Sequence, residues 1–307
     1  MKIIKELIRS ELPTSTALGY FDGVHIGHRA VIGEAVATAR RSGLVPTVFT
    51  LLQSPRTVLR GEESCNILMT EKKLQILSSL GVEQVYLIDF RTIKNITAGE
   101  FVENIVHGIF NATHISCGFN YHFGAGALGS GEMLEGMCSR FGISVLARPR
   151  IILGGQPVSS TRIRECIRRG DVRQANEMLG SRYGYCLPVI HGRQLGRTIG
   201  IPTLNMEFPQ GLVCPRYGAY ASVVRIADRE YFGVTDIGVK PTVGSQKVIV
   251  ETWMPDYSGG ELYGEELSVE LLDFIRPERK FPDVEALKNE IVNNAAQARN
   301  IYDDIGK

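Results

Sequence analysis

Short β-branched and aromatic runs punctuate the first 180 residues. LVPTVFT (44–50), QVYLIDF (84–90), HISCG (114–118) and ISVLARP (143–149) read as strands. The stretches between them, 28–41, 70–80, 98–110 and 131–141, read as helices, and Thr97 with Glu100 has the capping-box spacing ahead of FVENIVHGIF. Strands alternating with helices predict an α/β domain whose parallel sheet is covered on both faces. Beyond residue 185 the texture changes. AYASVVRI (219–226), YFGVTDIGV (231–239), KVIVETWM (247–254) and LSVELLDF (267–274) are strand-like with Gly and Pro turns between them, which predicts an antiparallel barrel or sandwich. A last helix is marked by Val284, Leu287, Ile291, Ala295, Ala298 and Ile301. The change of period places the boundary near 181–184, giving domains 1–183 and 184–307 without internal repeats.

Composition narrows the classes. A chain of 307 residues is long enough for two cores, and 34 Lys+Arg against 33 Asp+Glu leaves a formal charge of +1, so no nucleic-acid partner is expected. The longest apolar runs fall far short of the ~20 residues of a membrane span. The opening MKIIKELIRSELP lacks the uninterrupted apolar core of a secretory signal. The expectation is a cytoplasmic protein without a membrane partner, monomeric or weakly homo-oligomeric. Six cysteines (65, 117, 138, 166, 186, 214) without a C-x-x-C pair argue against zinc and against a disulfide framework, and predict reduced, mostly buried thiols.

Two of the six histidines fall in GYFDGVHIGH (19–28), after a small-residue strand and ahead of a helical stretch. His25 in the turn and His28 in the first helical turn would both lie at the positive end of the helix dipole, a place for phosphate, with Gly19, Gly23 and Gly27 letting backbone approach a ligand. Alone, H-x-x-H is as readily a metal fragment or a coincidence, and neither the dinucleotide fingerprint nor a P-loop occurs. A second stretch, SSTRIRECIRRGD (159–171), sets Ser159, Ser160 and Thr161 before a helix carrying Arg162 and Arg164, a plausible pyrophosphate cradle that by itself would read as a capped surface helix. A third, HGRQLGRTIGIPTLN (191–205), interleaves Gly192, Gly196 and Gly200 with Arg193 and Arg197. It ends in Thr203 and Asn205, hard oxygen donors suited to Mg²⁺.

Taken together, H-x-G-H and S-S-T-x-x-R resemble the nucleotidylyltransferase superfamily. More narrowly, GYFDGVHIGH and VSSTRIRECIRRGDV resemble the FMN adenylyltransferase module of bacterial bifunctional riboflavin kinase/FAD synthetases. GFNYHFGAGALGSGEML (118–134) is similar to that family's flavin loop, with Asn120 and Phe123 at matching positions. GRTIGIPTLN, DIGVKPTVG (236–244), VETWMPDYSGGELYG (250–264) and FIRPERKF (274–281) resemble its riboflavin kinase module in the expected order. The resemblance implies a Rossmann-like nucleotidylyltransferase domain followed by a β-barrel kinase domain with a C-terminal helix. It implies that riboflavin is phosphorylated to FMN and FMN adenylated to FAD, each with ATP and Mg²⁺.

The same resemblance implies catalytic roles for His25, His28 and Glu251, and ATP contacts at Gly19, Phe21, Asp22, Gly23, Gly27, Ser159, Ser160, Thr161, Arg164, Gly192, Arg193, Gly196, Arg197, Gly200 and Pro202. Flavin contacts fall on Asn120, Phe123, Arg276 and Glu278, and metal contacts on Thr203 and Asn205. The chain departs from the family pattern at TLLQSPR (50–56), where Ser54 stands in place of a histidine. It departs also at Asp236 in place of Asn, at Asn294 in place of Asp, at Pro188 in the first barrel strand, and by one extra residue in YSGGELYG. Two rival readings are a chain whose kinase module alone turns over and a flavin- or nucleotide-binding regulator without turnover.

Overall fold

The computed structural model describes every residue except 62, 64, 193–195, 197–198, 243–244 and 306–307. The chain divides into two compact units, Met1–Asn66 with Thr70–Ser160, and Ile67–Met69 with Thr161–Lys307.

Unit 1 is built on six parallel strands, β1 (Lys2–Ile4), β2 (Thr14–Leu18), β3 (Val45–Leu51), β4 (Gln84–Ile88), β5 (Ala112–Gly118) and β8 (Ser144–Arg148), in the order β1-β4-β3-β2-β5-β8. Two short hairpins, β6 (His122–Phe123) with β7 (Gly129–Ser130) and β9 (Ile152–Leu153) with β10 (Gln156–Pro157), complete it. Every residue of β2 and β4 is buried, as a parallel sheet covered on both faces requires, whereas the edge strand β8 is half exposed. The first helix, α1 (Ile26–Ser42), carries the chain from β2 to β3 on one side, and the later crossover to β5 returns to the other side of β2. The reversal makes the carboxyl end of β2 the topological switch point, where an open α/β sheet leaves a crevice for ligands.

The predicted capping box is present. Thr97 accepts from the Glu100 N–H at 3.2 Å and the Glu100 carboxylate accepts from the Thr97 N–H at 2.8 Å. The stretch expected as one α-helix widens after Glu100 into a π-helix, Phe101–Ile109, closed by the Phe110 N–H on the Ile105 carbonyl at 2.8 Å. The wide turns bring Phe101 and Phe110 into one core around Phe49, with ring centroids 5.9 and 5.3 Å from it. Tyr86, on the neighbouring strand, packs on Phe110 at 4.7 Å and donates its hydroxyl to the Ile8 carbonyl at 2.8 Å. The 50–56 stretch contains a feature that the strand pattern hides: Ser54 caps a short helix, Pro55–Arg60, by accepting from the Arg56 N–H.

Unit 2 holds the helices Ser160–Arg169, from Thr161 on, and Val172–Leu179 together with the barrel. Asn176 explains the grouping of the second helix: its Nδ2 donates to the Leu271 carbonyl at 2.9 Å and its Oδ1 accepts the Tyr183 N–H at 2.6 Å. The barrel strands are β11 (Tyr183–Pro188), β12 (Thr203–Glu207), β13 (Gly218–Ile226), β14 (Arg229–Thr242), β15 (Ser245–Trp253) and β16 (Glu266–Pro277), all antiparallel in the order β11-β16-β13-β14-β15-β12. The two edges of the curled sheet approach each other at a bridge between Ile190 and Asn205, so it is a partly closed barrel rather than a sandwich. The C-terminal helix, Val284–Ile305, sets Ala295 and Ala298 against Ala219, Ala221, Val223, Phe232 and Val234.

Of the cysteines, Cys117, Cys138 and Cys166 are buried and Cys186 is exposed, and no disulfide joins any of the six. Burial pushes the Cys117 thiol up to about 11 and Cys138 to about 12, leaving both inert at neutral pH.

Opposite the helix-covered face, Thr235 Oγ1 lies 2.7 Å from Ser222 Oγ and 2.9 Å from Thr252 Oγ1, and all three residues are buried. Thr235→Val keeps the shape but strips two buried hydroxyls of a partner, and should lower unit 2 stability by about 1–2 kcal/mol. Urea unfolding followed through Trp253, the chain's single tryptophan, reads this unit directly, and an unchanged midpoint refutes the expectation.

Candidate active sites

The first site lies in the turn between β2 and α1. Within five residues, Phe21 (φ 52°), Gly23 (φ 85°) and Val24 (φ 39°) adopt positive φ, which is a genuine outlier for a β-branched residue. Phe21 and Val24 point into the core and hold that conformation. Gly19 is required because a Cβ there would stand 2.8 Å from the Phe21 ring. The turn delivers His25 as the N-cap of α1, its Nδ1 accepting the His28 N–H at 3.2 Å, and the two imidazoles stack with centroids 3.5 Å apart. A Cβ at Gly27 would crowd the His25 ring at 3.1 Å, so that glycine keeps the ring in place. Phe21 meets His28 edge-on at 5.3 Å.

This packing determines charge. Burial pulls His25 down to about 4, and it pulls His28 well below the usual histidine range, with the neighbouring His25 and Lys73 adding in the same direction. With Nδ1 engaged as an acceptor, a neutral His25 carries its proton on Nε2. The pair therefore presents neutral N–H donors beside the α1 N-terminus, suited to oxygens of a phosphate.

Ser160 belongs to the same unit and donates its hydroxyl to the Asp22 carbonyl at 2.9 Å, joining the 159–160 segment to the turn. Thr161 and Arg164 lie further along that helix, in unit 2. Asn120 is exposed, whereas Phe123 is buried in the core, its ring 5.3 Å from Phe101, and a Cβ at Gly129 would strike it at 2.7 Å. The exposed aromatic of this loop is Phe119, with the Arg150 guanidinium 4.6 Å above its ring. Periodicity does not single out Lys73, a buried lysine whose Nζ reaches the Tyr20 carbonyl at 3.4 Å and Thr50 Oγ1 at 3.3 Å. Its signal in the sequence is its place on the apolar stripe of the helix Thr70–Ser79, with Ile76 and Leu77.

The second site follows from register. Arg276 pairs with Ala219, Ala219 with Asp236, Asp236 with Glu251 and Glu251 with Asn205, so five adjacent strands set these residues in one row on one face. Thr203, two residues before Asn205, shares the face, and the Asn205 amide nitrogen lies 3.4 Å from the Thr203 hydroxyl. A Cβ at Gly192 would overlap the Asn205 amide, one at Gly196 would overlap the Ile201 carbonyl, and Gly200 has φ +78°. Each of these glycines meets a local steric or backbone demand, while Pro202 beside them is exposed. Arg193 and Arg197 lie outside the described residues.

Gly238, two residues from Asp236, leaves room for the Glu278 carboxylate, which a Cβ would meet at 2.5 Å. Glu290 on the C-terminal helix takes Arg276 Nε at 3.0 Å and pairs with Arg279 as well, fixing the end of the row. One helical turn on, Asn294 is buried, and neither of its amide atoms has a hydrogen-bond partner among the described residues. The Thr203 hydroxyl and the Asn205 amide oxygen, beside the Glu251 carboxylate, are hard donors of the kind that fits Mg²⁺.

The FAD synthetase family model matches residues 8–162 and the riboflavin kinase family model matches residues 179–302. A bifunctional riboflavin kinase/FMN adenylyltransferase of Bacillus subtilis is 32% identical over 309 residues, covering 98% of this chain and 96% of that one. One of Listeria monocytogenes is 32% identical over 293 residues, covering 93% and 91%. A crystal structure described as a macrolide-efflux protein from Streptococcus pneumoniae matches with a TM-score of 0.88 and 31% identity over 97% of this chain and 98% of that one. Among the described residues of this chain, no helix is long and apolar enough to cross a membrane.

The depressed histidine gives a signed prediction. Between pH 6.5 and about 4 the unfolded chain protonates His25 while the folded one does not, so stability is full above 6.5 and falls as pH drops toward 4. The loss attributable to His25 is on the order of 3 kcal/mol. His25→Asn, which keeps an N-cap acceptor, should flatten that part of the profile in urea unfolding followed by circular dichroism, and an unaltered slope would count against a buried neutral His25.

Proposed function

The chain belongs to the bifunctional riboflavin kinase/FMN adenylyltransferase family, and from that premise we propose that residues 184–307 phosphorylate riboflavin to FMN while residues 1–183 convert FMN to FAD. What carries the reading is that two separate sets of reaction-competent groups, the stacked histidines at a switch point and the carboxylate-centred row on the barrel, occur in the two matched segments.

In the kinase reaction Glu251 takes the proton of the riboflavin 5′-hydroxyl as that oxygen attacks the γ-phosphate of ATP. Its neighbour Asn205, with Thr203, would hold Mg²⁺, which when bound with ATP would neutralise phosphate charge. Gly192, Gly196 and Gly200 let backbone approach the nucleotide beside Pro202, Arg193 and Arg197 supply charge to its phosphates, and Arg276 with Glu278 faces the flavin.

In the adenylyl transfer an FMN phosphate oxygen attacks the α-phosphate of ATP and pyrophosphate leaves, with no covalent enzyme intermediate. The work of the protein is orientation and charge. His25 and His28 donate N–H groups to phosphate oxygens without becoming nucleophiles. Gly19, Phe21, Asp22, Gly23 and Gly27 shape the turn around ATP, Ser159, Ser160, Thr161 and Arg164 receive the pyrophosphate, and Asn120 and Phe123 belong to the flavin end. The departure from the family pattern at 50–56, where Ser54 caps the helix Pro55–Arg60, motivates a second reading in which only the kinase turns over.

A chromatographic time course of riboflavin, ATP and Mg²⁺ separates the two. Wild type should yield FMN and then FAD. His28→Ala should lower FAD formation at least ~100-fold and leave FMN formation intact. Glu251→Ala should lower FMN formation ~10²–10⁴-fold while still adenylating supplied FMN. FMN without FAD from the wild type would establish the kinase-only reading. Chelation of Mg²⁺ should stop both steps, and persistence of either would remove the metal from it.

A further inference from the structure

Lys73 is a buried cation to which none of these roles gives a purpose. It projects from the helix Thr70–Ser79 with 7% of its surface exposed, beneath the turn that carries the histidines. Nζ bonds the Tyr20 carbonyl and the Thr50 hydroxyl, and Thr50 itself donates to the same carbonyl at 2.8 Å. The Tyr20 ring lies 5.1 Å from the ammonium. Among the described residues, the titratable groups around the amine are Asp22 and Tyr20 on the turn and His28 on α1, with His25 stacked on His28. We propose that Lys73 is a positioning residue of the adenylyl-transfer site: its ammonium ties the turn at Tyr20 to β3 and sets the charge against which His25 and His28 present their N–H groups.

The inference rests on the assignment of the histidine pair to adenylyl transfer. Burial lowers Lys73 to about 8, against the opposing pull of the Asp22 carboxylate, so most of it is charged at neutral pH. An imidazolium at position 28 would set a second cation near this one. It would also place an N–H at Nδ1, which is buried without a hydrogen-bond partner among the described residues. Both costs hold the ring neutral, with its proton on Nε2. The lysine thus acts through His28 and need not touch the nucleotide.

The test uses the full chain with Lys73→Met, Lys73→Gln and Lys73→Arg. FAD formation from supplied FMN and ATP is followed from pH 3.5 to 9, with riboflavin phosphorylation in the same samples as internal control, and the His28 ring is titrated by NMR over the same range. The neutral variants should move the acid limb of FAD formation, and the His28 titration, upward by about one pH unit. Lys73→Arg should keep both in place, and the kinase control should not change. Should the Met variant not fold because Asp22 loses its partner, the Gln variant carries the same comparison. A neutral variant that is slower at every pH, with the limb and the His28 titration unmoved, overturns the inference and leaves Lys73 a structural tie. A wild type that makes FMN but no FAD removes the assignment itself, an outcome distinguishable from an unmoved limb.

Discussion

Unit 1 depends on a steric demand: the chain must leave the central strand β2, reverse within seven residues, and enter α1 with two imidazoles packed face to face. Positive φ at Phe21, Gly23 and Val24 is the backbone's answer. It is sustained because Phe21 and Val24 bury apolar groups that would otherwise be exposed, so packing offsets local strain. Gly19 and Gly27 follow from the same demand, as each leaves the space that an aromatic or imidazole ring takes up. The neutral state of the histidines is then a consequence of packing, because charging rings this deeply placed carries a heavy desolvation penalty.

The second site solves a different problem by different means. Its residues come from five strands, and their alignment rests on pairing register alone, since residues opposite one another across a sheet share a face. A slip of one residue in β15 would turn Glu251 away from Asn205 and Asp236. Glu290 and the C-terminal helix anchor the end of the row at Arg276, where the register between β13 and β16 shifts.

Much of this was legible in the sequence, and the exceptions have physical causes. Alternating strands and helices foretold the parallel sheet, and the antiparallel barrel was readable from Gly- and Pro-spaced strands, because both patterns record burial directly. The π-helix at Phe101–Ile109 was not readable, since its apolar positions also satisfy an α-helix and the choice depends on packing around Phe49. The histidine pair stood out by residue type, but the His25 N-cap and the ring stacking are three-dimensional facts. Phe123 matched a flavin-loop position and lies in the core, while Phe119, four residues earlier, is exposed beneath Arg150. Lys73 escaped notice because a lysine on an apolar stripe reads as a flaw in the pattern until its partners are seen. The row of Arg276, Asp236, Glu251 and Asn205 spans 72 positions from Asn205 to Arg276, counted inclusively, and no local motif could have joined them.

That span bears on how the molecule comes into being on the ribosome. The six-stranded parallel sheet needs nothing beyond Arg148, so it can close while later segments are still being made. The barrel has no such freedom, because β11 finds its partner only in β16, with Tyr183 opposite Leu271. Until residue 277 has emerged, β11 has no partner and β13 only one, although β12 to β15 can already pair among themselves, and Arg276 is missing from its row. The two chemistries are therefore born in sequence, the histidine turn early and the carboxylate row last, with the nascent barrel strands the segment most in need of protection from mispairing.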